Sequence, residues 1–307
     1  MSKFTKSNRE ETIPSVKLFE GERGLVITGL IGFILSAGIA IYLFFQGPTI
    51  LPEGNVKDAF SFNAAIGIFM ISIAAILPLT KFAARKRRVI RWLFIFASLY
   101  CYTIETVQNF RGISPRFSRE GTVVDMMAGI LFGVISLLLV ILTIVLAIHF
   151  LRMKQQHDRS LLIMGVRYAF ISVLVGNFAG IWMIILQDRL TGDGGNVIIL
   201  HGIAFHALQT LILPAWLLEK ARIKDEIKKS LIHISSIAWM LSMLLIGIQT
   251  ALGRTVFELT LVPILTGVLI LVWLGTVTTV FVFLINLRRT NAVSTRSGIL
   301  KERDILK

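Results

Sequence analysis

The strongest constraint on this chain is a series of eight apolar runs, at about residues 25–46, 60–80, 89–109, 124–151, 161–187, 196–218, 231–251 and 260–287. Each is long enough to cross the ~30 Å hydrocarbon layer of a bilayer as a helix. Inside lipid the backbone N–H and C=O groups must be paired within the segment, which leaves helices for runs of this kind. The expected fold is all-α: a polytopic transmembrane bundle of eight spans over 25–287, between an N-terminal segment 1–24 and a tail 288–307. Composition agrees, with 55% apolar residues and a mean hydropathy of +0.76. The first 24 residues mix Lys3, Lys6, Arg9 and Lys17 with Glu10, Glu11, Glu20 and Glu22, and do not read as a cleavable signal. The single Cys101 allows no internal disulfide or thiolate cluster and is expected to pack.

An even number of spans puts both termini on one side, and the basic residues decide which. Residues 1–24, 81–91, 152–159, 220–229 and 288–307, with Arg167, hold 26 of the 32 Lys and Arg residues. The opposite face has Lys57, Arg111, Arg116, Arg119, Arg189 and Arg254. Positive charge accumulates in the cytoplasm, so both termini are expected there, in the cell membrane. The net charge of +14 thus reads as topology, with attraction to anionic lipid on the cytoplasmic face. Nucleic-acid binding is the poorer alternative, because no compact soluble domain remains to carry it.

One constant shift carries 25–46, 60–80 and 124–151 onto 161–182, 196–216 and 260–287, and Leu77-Pro78 onto Leu213-Pro214. Two explanations fit. One is a 4+4 parallel repeat with halves 25–151 and 161–287; the other is that evenly spaced helices overlap under some shift.

This topology gathers polar residues in the outer half: Asn63, Glu105, Gln108, Asp125, Gln187, Asp188, His201, His206 and Gln249. Ionisable groups inside a span are costly and mark function by default. At ~1.5 Å per residue, His206 lies about 15 Å below the outer start of its helix and His201 about 8 Å. Five residues at about 100° each set those two rings roughly 140° apart, while Gly202, His206, Gln209 and Thr210 share a face. A metal held by His201 and His206 would need ligands from other helices, such as Asp125 or Glu105. Pro214 removes the hydrogen bond that would reach the carbonyl of Thr210, freeing an acceptor just below His206.

Tyr102, Glu105, Gln108 and Asn109 fall on one face of the third span, where Glu105 is expected to meet Arg111 as a latch or His206 as a proton partner. The next connection, NFRGISPRFSREGTVVD, carries three arginines and can fold back over an outward cavity. Asp125 at its end is expected to cap the following helix. The 188–196 turn, DRLTGDGGN, reads as a tight connection with no phosphate-loop GK[ST].

Two segments, LHGIAFHALQTLILP and TVQNFRGISPRFS, resemble a set of multi-pass bacterial membrane proteins with HxLQ-type and QxxRGxxSxF-type sequences. The matching positions are His206, Leu208 and Gln209, then Gln108, Arg111, Gly112, Ser114 and Phe117. Arg116 stands where that pattern has His. The resemblance covers about thirty residues of 307 and implies a bacterial membrane protein without implying an activity.

Two function classes remain open. The first is a protein that binds or transports a small polar or charged ligand in an outward cavity formed by Asn63, Glu105, Gln108, Arg111, His206 and Gln209, with proton coupling through Glu105 and His206. The second is an intramembrane metal- or haem-dependent enzyme or redox protein. His149 and His233, near the inner boundary, are its best axial pair. No cofactor is indicated by a motif.

Overall fold

A computed structural model describes residues 16–116, 118–154 and 159–305, with side chains to Ile285. Phe117, residues 1–15 of the N-terminal segment and the side chains of the 288–307 tail lie outside the described residues. Each apolar run is a helix, or two helices end to end. The chain forms α1 (Arg23–Gln46), β1 (Thr49–Ile50), β2 (Gly54–Asn55), α2 (Val56–Ile76, prolonged by a 3-10 turn Leu77–Thr80), α3 (Ala84–Phe110), α4 (Val123–Arg152) and α5 (Ser160–Leu186). It continues with β3 (Leu190–Thr191), β4 (Gly195–Asn196), α6 (Val197–Thr210), α7 (Ile212–Lys220), α8 (Asp225–Ala251) and α9 (Leu261–Ile305). Seven of the resulting rods are long and apolar enough to cross a membrane, with α6 and α7 acting as one and α9 counted to Ile285. The remaining rod, α3, is 27 residues long, begins ARKRRVIR and carries Glu105, Gln108 and Asn109 toward its other end, and it stands outside that set.

Antiparallel pairs α1/α2, α5/α6 and α8/α9 make the most extensive contacts. A continuous core runs from α2 and α3 through α4 and α5 to α6 and α8, with Met70, Ile73, Phe94, Leu146, Phe150 and Phe170 wholly enclosed. Phe150 and Phe170 stack at 5.4 Å between α4 and α5. The apolar part of α9 is peripheral, with 6% of its apolar window buried in the protein.

One end of the bundle carries the two short ribbons. The other is rich in Lys and Arg. At the basic end, Arg167 donates to Phe150 O (3.0 Å) and to Met153 O, closing the last carbonyls of α4. Glu22, wholly buried, receives Arg87 Nε at 2.5 Å and Arg91 Nε at 2.6 Å. Arg159 meets Glu219 at 3.0 Å.

At the ribbon end one design occurs twice, once in each half of the chain. Ribbon β1/β2 pairs Thr49 with Asn55, and β3/β4 pairs Leu190 with Asn196. Each ribbon runs into a helix capped by its Asn, whose Oδ1 accepts from Lys57 N or Ile198 N at 3.1 Å. The ends of α3 and α8 match too. Ile113 N reaches Gln108 O and Gly112 N reaches Asn109 O, as Arg254 N reaches Gln249 O and Gly253 N reaches Thr250 O. Gly112 and Gly253 sit at φ of 74° and 71°, the left-handed position that closes a helix with this bonding pattern. In each half the ribbon donates to that glycine's carbonyl, from Glu53 N and from Gly194 N. The shift that aligns Pro78 with Pro214 does not align the two caps. The helix that starts at Asn196 reaches its proline sooner than the helix that starts at Asn55.

Candidate functional site

The ribbon end of α2, α3 and α4 holds the densest set of buried polar groups. Asn63, fully buried on α2, donates through Nδ2 to Thr106 Oγ1 at 2.9 Å. Its Oδ1 has no partner among the described residues, and neither does the hydroxyl of Tyr102 on α3. Gly32 of α1 makes room for that hydroxyl, which a side chain at position 32 would strike.

Glu105, at 0% exposure, receives Arg116 Nη2 on Oε2 at 2.7 Å. Asn109 Nδ2 donates to Glu105 O at 2.7 Å and approaches Oε1 at 3.4 Å, while Asn109 Oδ1 accepts from Asn55 N at 2.9 Å. The partner of Glu105 is therefore neither Arg111 nor His206, the two residues its helical position suggested. Arg116 comes from the loop that follows α3, and its guanidinium carbon stands 5.4 Å from the ring centres of both Phe62 and Phe132.

Arg111 turns instead to α4. Its Nη1 donates to Asp125 Oδ1 (2.6 Å) and Gln108 Oε1 (2.9 Å), and Gln108 Nε2 donates to Asp125 Oδ1 (2.9 Å). Asp125 Oδ2 accepts from Thr122 N and Oγ1, completing a reciprocal capping box at the start of α4. The capping role expected of Asp125 is present, and an ion pair is added to it.

The loop is tied down a third time by Glu53 from the first ribbon. Its carboxylate accepts from Ser118 Oγ (2.6 Å), Arg119 N (2.8 Å) and Ser114 N (3.3 Å). Partial burial pushes this carboxyl up, but these bonds and one from the Glu120 backbone outweigh it and hold it below the ordinary glutamate range. A depressed folded value means that the tie is complete above the ordinary pKa of ~4.3 and is lost as pH falls through the depressed one. At neutral pH, Glu53→Gln is expected to speed amide exchange at Arg119 about tenfold, the loss of one charged hydrogen bond at a half-exposed position. Unchanged exchange would show that the loop is held without Glu53.

The histidines lie elsewhere. His206, exposed on α6, donates from Nδ1 to Gln209 Oε1 at 3.1 Å, and Gln209 Nε2 donates to Ser72 Oγ on α2 at 2.5 Å. No hydrogen bond or ion pair among the described residues links His206 to Glu105. His201 points the other way, donating to Gly176 O of α5 at 2.8 Å, as its place on a different face of the helix implies. The freed Thr210 carbonyl accepts from Trp273 Nε1 of α9 at 3.3 Å, and the helix breaks at Leu211 between α6 and α7. His149 is bonded to Thr80 O at 2.8 Å and lies tilted against the ring of Phe82, while His233 meets the Tyr168 hydroxyl at 2.8 Å. These two have separate partners, and among the described residues no hydrogen bond or ring contact joins them. Among the described residues no three His, Cys, Asp or Glu are gathered so as to hold a metal, so His201, His206 and Asp125 do not form such a group.

The structure thus splits the expected site. Asn63, Glu105, Gln108 and Arg111 come together at the ribbon end with Asn109, Arg116 and Asp125, and His206 with Gln209 forms a separate relay to Ser72. Arg116, Phe62, Phe132 and Glu53 are not among the site residues that the sequence suggested. Contacts made across a loop leave no periodic signal. No protein-family model matches the chain, and neither does any curated protein or solved structure.

Proposed function

We propose that this is an eight-span protein of a bacterial cell membrane, with both termini cytoplasmic, that binds or transports a small polar or charged molecule at the ribbon end, which faces outward. The observation that carries the binding site is Glu105: a wholly buried carboxylate whose cationic partner comes from a loop, beside buried Asn63 Oδ1 and Tyr102 OH that lack partners among the described residues. Buried polar atoms are paired in finished interiors, so unmet acceptors mark a place for something else.

The eighth span is α3. Its 27 residues extend about 40 Å, it packs against α2 and α4, and its charges cluster at the basic end. The doubled ribbon-and-cap design supports a 4+4 parallel repeat, since both ribbons then stand on one side. At the start of α3, Lys81, Arg85, Lys86 and Arg88 are exposed and paired with no carboxylate among the described residues, above exposed Trp92 stacked on Phe96. That order of cations and aromatics suits an anionic cytoplasmic leaflet. Kinship with the bacterial set rests on the two resembling segments alone, in which Gln108, Arg111 and Gln209 make bonds between elements of this chain.

The test uses the lone, buried Cys101. In a Cys101→Ala background, Arg119→Cys and Asp193→Cys are expected to react with a membrane-impermeant maleimide in intact cells, and Lys224→Cys only after permeabilisation. Labelling of Lys224→Cys in intact cells, or of only one of the other two, would reverse the orientation or remove the repeat.

A further inference from the structure

We infer that the ligand of this site is a small organic cation bearing a guanidinium or ammonium group, and that Arg116 occupies the cation's place from within the chain. This rests on the binding site proposed at Glu105 and names its ligand class.

Three features around Arg116 describe a cation site. The anion is Glu105, enclosed by α2, α3 and the loop, with no exposed surface. The walls are the faces of Phe62 on α2 and Phe132 on α4, whose ring centres are 5.8 Å apart and each 5.4 Å from the guanidinium carbon. A cation within about 6 Å of a ring centre is attracted by the quadrupole of the ring. A carboxylate with two aromatic walls is the chemistry that recognises an organic cation.

The occupant is weakly matched to this setting. A guanidinium has five N–H donors and pairs best with a carboxylate through two parallel bonds. Arg116 makes one hydrogen bond, Nη2 to Oε2, among the described residues, and its side chain is 33% exposed. It rides on a loop, so it can leave without unwinding a helix. The rest of the loop has its own attachments, at Asp125 through Arg111 and at Glu53 through Ser118 and the Arg119 amide. Asn63, the residue after Phe62 on α2, keeps an Oδ1 with no partner among the described residues.

The test is chemical rescue in detergent, with methylguanidinium chloride as the probe and equal sodium chloride as the ionic-strength control. Arg116→Ala is expected to melt below the wild type and to gain roughly 3–6 °C from millimolar methylguanidinium, saturably. The wild type, where the probe must displace Arg116, should shift less than Arg116→Ala at every concentration, and Glu105→Gln/Arg116→Ala should show no saturable shift. If Arg116→Ala does not fold, Arg116→Lys keeps the charge and serves in its place, with a smaller rise on displacement of the lysine. A rise no larger than with sodium chloride, or one that persists in the double variant, overturns the inference. A neutral or anionic molecule that co-purifies with the wild type and is lost in Glu105→Gln would overturn the cationic class and leave the binding site standing.

Discussion

Glu22→Gln is expected to lower the melting temperature by roughly 6–12 °C, the largest loss from any single conservative change in this chain. Glu22 is wholly buried at the basic end and receives both Nε and Nη2 of Arg91 together with Nε of Arg87. Arg87 also donates to Glu20 O. Removing the charge leaves two neighbouring guanidiniums with nothing between them. Breaking a buried pair costs about 3–5 kcal/mol, and because the two arginines keep some contact with solvent the lower end, about 3 kcal/mol, applies. Arg87→Ala or Arg91→Ala alone should cost clearly less, since Glu22 keeps its other partner. Thermal unfolding in detergent decides this. Equal melting of Glu22→Gln and wild type would mean that the triad is solvated and holds nothing together.

What the sequence shows of this molecule follows what is local in it. Helix ends are signalled within a few residues: Asn55 and Asn196 cap, Gly112 and Gly253 close, and apolar runs mark the rest. The divergence of His201 and His206 follows from helical angle alone, and the carbonyl freed by Pro214 finds a donor in Trp273. The donor itself comes from α9, far along the chain, and nothing near Pro214 names it. Glu105 shows its burial through its place in an apolar run but not its partner, because Arg116 lies beyond a Gly and a Pro that erase the helical register. Glu22 looks like one charge among several in a mixed segment, and its partners stand on α3, beyond two whole helices. The ribbons hide because strands so short cannot alternate. The doubled ribbon-and-cap design hides because the stretch from the second Asn cap to its proline is the shorter of the two, so no single shift aligns both caps and prolines.

The second large effect concerns Glu105. Glu105→Gln keeps the shape of the side chain and removes the charge that Arg116 or a bound molecule would meet. Because a neutral amide is easier to bury in a span than a carboxylate, insertion and expression should be unaffected. Losing a charged hydrogen bond of about 1.5–3 kcal/mol lowers affinity by about tenfold to more than a hundredfold. His206→Ala, at the separate relay through Gln209 to Ser72, should leave binding within about threefold of wild type, since among the described residues no hydrogen bond joins it to Glu105. The most direct measurement is native mass spectrometry of gently purified wild type, Glu105→Gln and His206→Ala. The binding site proposed at Glu105 predicts a small-molecule adduct on wild type and His206→Ala that is missing from Glu105→Gln; an adduct retained by Glu105→Gln, or wild type that carries none, would contradict it.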